Sequence, residues 1–244
     1  MTRFAPGLFA VLLLAGVAAA QDKPEDVVKK AIKAHGGEAA LKKFPAGTSK
    51  ISGTVVEPKL PFTGSMAFAV PGKVRVEMVF EVDGQKAATV QVINGQKVSQ
   101  TENGKASKLG DAVIAELRES ATIQEMSLLF PLLDANKYTL SADKDATFDG
   151  KECSVIVVKA KGLKDIALAF DKTTDRLAAM RRKGLNPAQV AVEEVTTFSD
   201  FKTIEGLVVP MKSKVAHDGK AFLEIVVTEY KPLEKLDDKL FVVE

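Results

Sequence analysis

The sequence predicts a mainly β fold of the α+β class, organised around one long, curved antiparallel sheet with a few helices. Alternation of apolar and polar residues begins near Thr48 and returns in most later segments, which is typical of half-buried strands. Asp-Gly and Asn-Gly pairs separate these runs where two-residue hairpin turns would lie. The turns are short and sequential, which favours antiparallel pairing. We count about eleven to thirteen strands.

The first twenty residues predict a signal peptide. Arg3 gives a short basic start, Leu8–Val17 is apolar, and Ala18–Ala20 fits a small-residue cleavage site. The apolar run is shorter than the roughly 20 residues of a membrane-spanning helix, and the segment has no cysteine for lipid attachment. We therefore expect cleavage near Ala20, a single domain over residues 21–244, a periplasmic or secreted location, and no transmembrane anchor in the mature protein.

The mature chain is expected to begin with two short helices. Lys23–Lys33 has apolar residues at helical spacing, with Pro24 in the first turn, where proline is tolerated. Gly36-Gly37 interrupts the pattern, which resumes over Glu38–Phe44. His35 is interpreted as a histidine at a helix end, near the negative end of the helix dipole, and not as a functional residue.

Strand patterns dominate the rest of the chain. The clearest is Val74–Asp83, where one face is apolar and the other mostly charged, as expected for a strand with one face buried and one in water. The other predicted strands are Lys50–Val56, Phe62–Val70, Ala87–Ile93, Lys97–Thr101, Tyr138–Leu140, Ala146–Phe148, Glu152–Ala160, Asp165–Asp171, Leu177–Lys183, Val190–Phe201, Leu207–Val215 and Ala221–Tyr230.

A helical pattern interrupts the strands in the middle of the chain. Asp111–Leu117 and Ile123–Leu133 have helical spacing and many long apolar side chains, and Pro131 is expected to end or kink the second segment. Two interpretations remain open. These side chains are either ordinary core, or a lid that lies across the open side of the sheet.

Composition and motifs argue against several function classes. The chain has 34 basic residues, or 33 without Arg3, against 32 acidic ones, which gives no electrostatic footprint for nucleic acid. Arg181-Arg182-Lys183 is interpreted as a solvated strand end. With two histidines, one cysteine and none of the common catalytic or phosphate-binding motifs, we predict a protein that is not an enzyme and needs no cofactor or metal.

The few reactive side chains each have a structural interpretation. Cys153 alternates with valines and is expected to be a small buried hydrophobe. His217 precedes the Asp218-Gly219 turn and is interpreted as a turn residue. Glu193 and Glu194 are neighbours on a predicted strand, so they point to opposite faces and cannot form a facing acid/base pair.

Three stretches carry a resemblance to a known family. Residues 31–41 (AIKAHGGEAAL) resemble the opening helix of the bacterial outer-membrane lipoprotein-sorting proteins, the LolA-like group. Phe198–Pro210 and Leu236–Phe241 resemble that group's late strand pair and closing segment. The resemblance implies an unclosed β-barrel of about eleven antiparallel strands whose concave face is covered by helices. It also implies a concavity that receives acyl chains of lipids or lipoproteins carried across the periplasm.

The leading functional hypothesis is a soluble periplasmic carrier or binder of lipid or lipoprotein acyl chains, with an envelope protein as donor or acceptor. Many one-sided strands and few covering helices leave apolar surface that a ligand can cover. Burial contributes about 0.8 kcal/mol per methylene. The expected cavity wall is Met66, Phe68, Val76, Met78, Phe80, Ile166, Leu168, Phe170, Leu223 and Ile225, and the expected lid is Leu128, Leu129, Phe130 and Leu133.

A second hypothesis comes from a different class of function. The chain would then be a non-transport envelope domain that binds a protein partner or senses the state of the envelope. This alternative predicts a filled core and an exposed apolar or charged patch on the outer face. A cavity between the helices and the sheet therefore discriminates between the two hypotheses.

Overall fold

The computed structural model describes residues 22–243, and the predicted signal peptide lies outside this range. The helices are α1 (Pro24–Ala34), α2 (Glu38–Lys43) and α3 (Asp111–Met126), with short 3-10 helices at Phe130–Leu133 and Asp238–Phe241. No helix within residues 22–243 is both long enough and apolar enough to cross a membrane.

Fourteen strands form one antiparallel sheet that is not closed into a barrel. The strand order is β6-β5-β4-β3-β2-β1-β14-β13-β12-β11-β10-β9-β7, and β8 pairs with β9 beside β7. The strands are β1 Ala46–Val55, β2 Leu60–Ala69, β3 Lys73–Val82, β4 Gln85–Asn94, β5 Lys97–Glu102, β6 Lys105–Ala106, β7 Tyr138–Ala142, β8 Ala146–Phe148, β9 Lys151–Ala160, β10 Ile166–Asp171, β11 Leu177–Leu185, β12 Ala191–Ile204, β13 Leu207–His217 and β14 Lys220–Leu233.

The predicted fold class is confirmed, because the structure is mainly β with one unclosed antiparallel sheet and few helices. The strand count is higher than the eleven that the resemblance implied and one above the longest count from the sequence. The additional strand is β6, which has two residues and pairs with Thr101 and Glu102. A strand of two residues is too short to show alternation.

Short hairpin turns join strands that are consecutive in the sequence and adjacent in the sheet. Asp83 and Gly84 have φ values of 52° and 74°, and Asp218 and Gly219 have 48° and 76°. Two successive residues with positive φ match the primed turns whose twist suits paired strands. The Asn103-Gly104, Asp149-Gly150 and Glu205-Gly206 turns have the same signs.

The main core lies between α1 and one face of the sheet, here called the inner face. Val28 and Ala31 of α1 are fully buried, as are Ile166 and Leu168 of β10. The helix therefore uses the apolar stripe that its spacing predicted, and it covers the β9–β11 half of the inner face.

The mid-chain helical segment differs from the sequence prediction. The structure has one helix of 16 residues, α3, where two shorter segments were expected, and Leu129 at φ 62° ends the turn that follows. Pro131 lies in the first turn of the 3-10 helix Phe130–Leu133, a position that needs no backbone N–H donor. The mostly polar stretch Arg118–Thr122 between the two expected segments continues the helix, because helix propensity does not require an unbroken apolar pattern.

The C-terminal segment packs on the opposite, outer face of the sheet. Phe241 is fully buried and joins a small cluster with Ala67 and Val92. The side-chain amide of Asn94 donates a hydrogen bond to the Phe241 carbonyl, at 3.1 Å. The outer face of β2–β4 is therefore covered by the end of the chain, and the inner face is left for the helices.

Candidate functional site

A cavity of about 410 Å³ lies between the inner face of the sheet and α3. Apolar pockets that bind small ligands usually have volumes of about 300–1,000 Å³, so this cavity is within the range for one small ligand. Its lining is Leu41, Ile123, Leu128, Met66, Phe68, Leu177, Met180, Phe198, Leu207, Val208, Val209, Pro210, Val227 and Tyr230, together with the polar residues His35, Ser49, Ser120, Gln124, Ser127, Arg182, Glu194 and Thr196.

The strand register places all ten residues of the expected wall on the inner face, but only Met66 and Phe68 line the cavity. Val76 packs beside them, in the cluster that includes Phe68. Met78 and Phe80 lie farther along β3 and are half-buried. The Phe80 ring contacts the Phe62 ring, with centroids 5.7 Å apart.

The other half of the expected wall lies outside the cavity. Ile166, Leu168 and Phe170 are almost completely buried in the core under α1. Leu223 and Ile225 are half-buried on β14, between the cavity and the hairpin that joins β13 to β14. The alternation of a strand indicates which residues share a face, but not which part of that face a helix covers.

The expected lid residues follow α3 and have different surroundings. Leu128 lines the cavity, whereas Leu129 is fully buried in the main core. Phe130 and Leu133 are partly buried against that core. The cover of the cavity comes mostly from α3 itself, through Ser120, Ile123 and Gln124, and from Ser127 directly after the helix.

His35 lines the cavity, although its position at a helix end predicted no functional role. Its Nδ1 donates a hydrogen bond to the Val208 carbonyl at 2.7 Å, and its Nε2 accepts one from the Leu177 backbone N–H at 3.1 Å. The Val208 N–H in turn donates to the His35 carbonyl at 3.1 Å. Burial lowers the pKa of the imidazole, which favours the neutral ring that these bonds require.

Arg182 corrects the interpretation of residues 181–183 as a solvated strand end. Its side chain is only 10% exposed and lies at one end of the cavity. Nε donates to a carboxylate oxygen of Glu194 at 2.8 Å, and Nη1 is 2.5 Å from Glu116 and 3.5 Å from Glu119. A single guanidinium therefore joins β12 to two positions on α3.

Glu194 and His217 complete this charged end of the cavity. Nε2 of His217 is 3.4 Å from the second carboxylate oxygen of Glu194, and its ring stacks on Phe222 with centroids 4.2 Å apart. Glu194 points inward and Glu193 is exposed, as the strand alternation requires. His217 is the last residue of β13 and not a turn residue.

Opposite charges compensate one another in the buried group formed by Arg182 and its carboxyl neighbours. Burial alone lowers the pKa of Arg182, but the carboxylates of Glu194 and Glu116 outweigh it and raise that pKa. Burial raises the pKa of Glu119, against the opposing effect of Lys164 and Arg182. Arg182 thus remains charged and its carboxylate neighbours supply the compensating charge.

The cavity also differs from the larger cleft on the outer side of α3. That cleft has a volume of about 1,120 Å³ and is lined by small residues and by charged side chains such as Arg118, Lys161 and Lys164. The apolar lining of the cavity suits a hydrocarbon chain, and the charged lining of the open cleft suits polar contacts.

Among the described residues, no three His, Cys, Asp or Glu side chains are arranged to hold a metal ion.

Comparison with known proteins identifies the fold. A scan against models of protein families finds no match, and no curated protein matches the chain by sequence. A LolA superfamily protein from Nitrosomonas europaea superposes with a TM-score of 0.55 at 9% identity, over 91% of this chain and 98% of that one.

Two further solved structures give the same result. A DUF1329 family protein from Desulfovibrio piger has a TM-score of 0.56 at 13% identity, over 91% of this chain and 98% of that one. A domain described as outer membrane lipoprotein-sorting, from Vibrio parahaemolyticus, has a TM-score of 0.55 at 11% identity, over 89% and 97%. The chain therefore has the LolA-like fold, and its function must be argued from its own cavity.

Proposed function

We propose that this protein binds an acyl chain of a lipid or lipoprotein in the cavity between the sheet and α3, as a carrier in the periplasm. The observation that carries the proposal is an apolar cavity of about 410 Å³ in a fold shared with a LolA superfamily protein. The predicted signal peptide supports the location. Acyl-chain binding needs apolar surface and no catalytic group, because the free energy comes from removing methylenes from water.

One test of the proposal fills the cavity from one strand. Thr196 lies on β12 with its side chain in the cavity, and its neighbour Thr197 points to the outer face. We expect Thr196→Phe to weaken uptake of a long-chain monoacylglycerol at least about tenfold, or about 1.4 kcal/mol. Thr197→Phe should leave uptake unchanged. Fluorescent dye displacement and native mass spectrometry measure both variants.

The stability of the same two variants provides an independent readout. A phenylalanine placed in vacant space gains contacts, whereas one forced into a filled core costs about 1–3 kcal/mol. We therefore expect Thr196→Phe to unfold in urea at no lower concentration than the parent protein. If Thr196→Phe binds the monoacylglycerol as well as Thr197→Phe does, the cavity is not the binding site.

The second candidate is recognition of a protein partner through the cleft outside α3. The basic side chains of Arg118, Lys161 and Lys164 along that cleft favour it. Replacement of Arg118 and Lys161 by glutamine should then abolish binding of an envelope protein without affecting monoacylglycerol uptake. The opposite pattern is expected if the inner cavity is the functional site.

A further inference from the structure

The charged end of the cavity constrains the head group of its occupant. This inference rests on the proposed function, that is, on an acyl chain in the cavity. We propose that the cavity selects an acyl chain whose polar end carries hydrogen-bond donors and no negative charge, such as a hydroxyl or an ammonium group. A free fatty acid, which ends in a carboxylate, is disfavoured.

The cavity has two chemically different ends, which fix the orientation of a ligand. Leu41, Leu177 and Leu207 form the apolar end, where the core beneath α1 and α2 closes it. Arg182 follows Leu177 by five residues on β11, which corresponds to about 16 Å along a strand. An acyl chain directed at the apolar end therefore has its polar group beside Arg182 and Glu194.

Arg182 is the one cationic side chain in the described lining of the cavity, and three carboxyl groups already surround its guanidinium. Glu194 accepts from Nε at 2.8 Å, while Glu116 and Glu119 lie 2.5 and 3.5 Å from Nη1. A Cβ added to Gly184 would lie 3.2 Å from the Cζ atom of Arg182. The absence of a side chain at Gly184 therefore leaves room for the guanidinium. The charge of the guanidinium is thus already compensated by carboxyl groups of the protein.

The surrounding charges leave an excess of acceptors. Three carboxyl groups, those of Glu116, Glu119 and Glu194, face two cationic side chains, so acceptor oxygens outnumber the cations here. Lys164 is the second cation, at 3.6 Å from Glu116. The charged groups that meet here are Glu116 and Glu119 from α3, Lys164 from the loop after β9, Arg182 from β11, Glu194 from β12 and His217 from β13.

A ligand carboxylate at this position would be poorly solvated, because little water reaches side chains that are 7–19% exposed. It would also repel Glu194, and the described lining of the cavity offers no unpaired cation to compensate it. Burial of an unpaired charge is strongly unfavourable. A hydroxyl or ammonium donates to the carboxylate oxygens of Glu194 and meets neither penalty.

The test compares three ligands that are matched in chain length and differ in the polar end: monopalmitoylglycerol, hexadecylamine and palmitate. Each is titrated below its micelle-forming concentration at neutral pH, by displacement of a fluorescent dye from the full mature chain. We expect the glyceride and the amine to bind at least about tenfold more tightly than palmitate. Palmitate that binds as tightly as the glyceride overturns the selectivity, and failure of all three ligands overturns the proposed function as well.

Two variants test whether the acidic groups cause the selectivity. Glu194→Gln removes the carboxylate on Nε of Arg182, and Glu119→Gln removes one charge from the helix side of the same group. Each should raise the affinity for palmitate and reduce the discrimination at least about threefold. Glu193→Gln, on the exposed face of the same strand, is the matched control and should change nothing. An unchanged ratio in both variants that retain the folded circular dichroism spectrum also contradicts the inference.

Discussion

At the scale of single residues, His35 is the side chain that ties α1 to the sheet. Its ring donates to the Val208 carbonyl on β13 and accepts from the Leu177 N–H on β11. Leu177 is 5% exposed, so water cannot replace the imidazole as an acceptor. A buried donor that loses its acceptor costs about 1–3 kcal/mol, which makes His35 a structural residue that also borders the cavity.

The stability of the protein should therefore depend on pH through His35. Burial holds the pKa of the folded-state imidazole below its usual value of about 6.5. The unfolded chain then takes up a proton first, so stability is complete above about pH 6.5 and falls as the pH decreases below it. Urea unfolding between pH 5 and 8 should show this decrease.

The variant His35→Phe separates the hydrogen bonds from the volume of the ring. It should lower the free energy of unfolding at pH 8 by at least about 2 kcal/mol, because two backbone groups lose their partners. The decrease in stability below pH 6.5 should also become shallower than in the parent protein. The same pH dependence in both proteins would show that another group titrates.

At the scale of elements, the junction between α1 and α2 packs against the turn that joins β12 to β13. Gly36 has φ 111°, and a Cβ at this position would be 2.2 Å from the Gly206 carbonyl oxygen. Gly37 has φ 90°, but a Cβ there would meet nothing within 4 Å. The first glycine is thus required by close approach and by backbone conformation, and the second by conformation alone.

This difference gives a matched pair of variants. Gly37→Ala should cost about 1–3 kcal/mol, because φ 90° with ψ 158° is a backbone conformation that essentially only glycine adopts. Gly36→Ala should cost clearly more, because the backbone of the turn must also move away from α1. Thermal or urea unfolding of the two variants measures the difference. Equal losses would mean that the helix junction does not pack closely on the turn.

Sequence patterns predicted where the strands and turns lie, but not which side chains from different elements come into contact. The hairpin pairs such as Asp218-Gly219 and the alternation of Val74–Asp83 were sufficient for the sheet, because turns and strands are local features. The sequence does not indicate that Arg182 and Glu194 are buried, since their burial depends on where α3 crosses the sheet. No local pattern contains that information.

At the scale of the whole molecule, the helices cover less area than the inner face of the sheet offers. α1 and α2 fill the inner face over β9–β11, while α3 and the 3-10 helix after it only partly fill the rest. Part of the predicted wall, such as Leu168 and Phe170, is consequently core, and Met66 and Phe68 border open space. The ligand that we propose takes the place of the missing cover.

Methionine methyl groups test this account most directly. Met66 and Met180 line the cavity, whereas Met78 lies farther along β3 and outside it. In an NMR titration of methionine-methyl-labelled protein with monopalmitoylglycerol, we expect the Met66 and Met180 signals to shift and saturate at one ligand per chain, and the Met78 signal to stay unchanged. Binding that leaves Met66 and Met180 unshifted, or no binding at all, would contradict the proposal that the cavity holds an acyl chain.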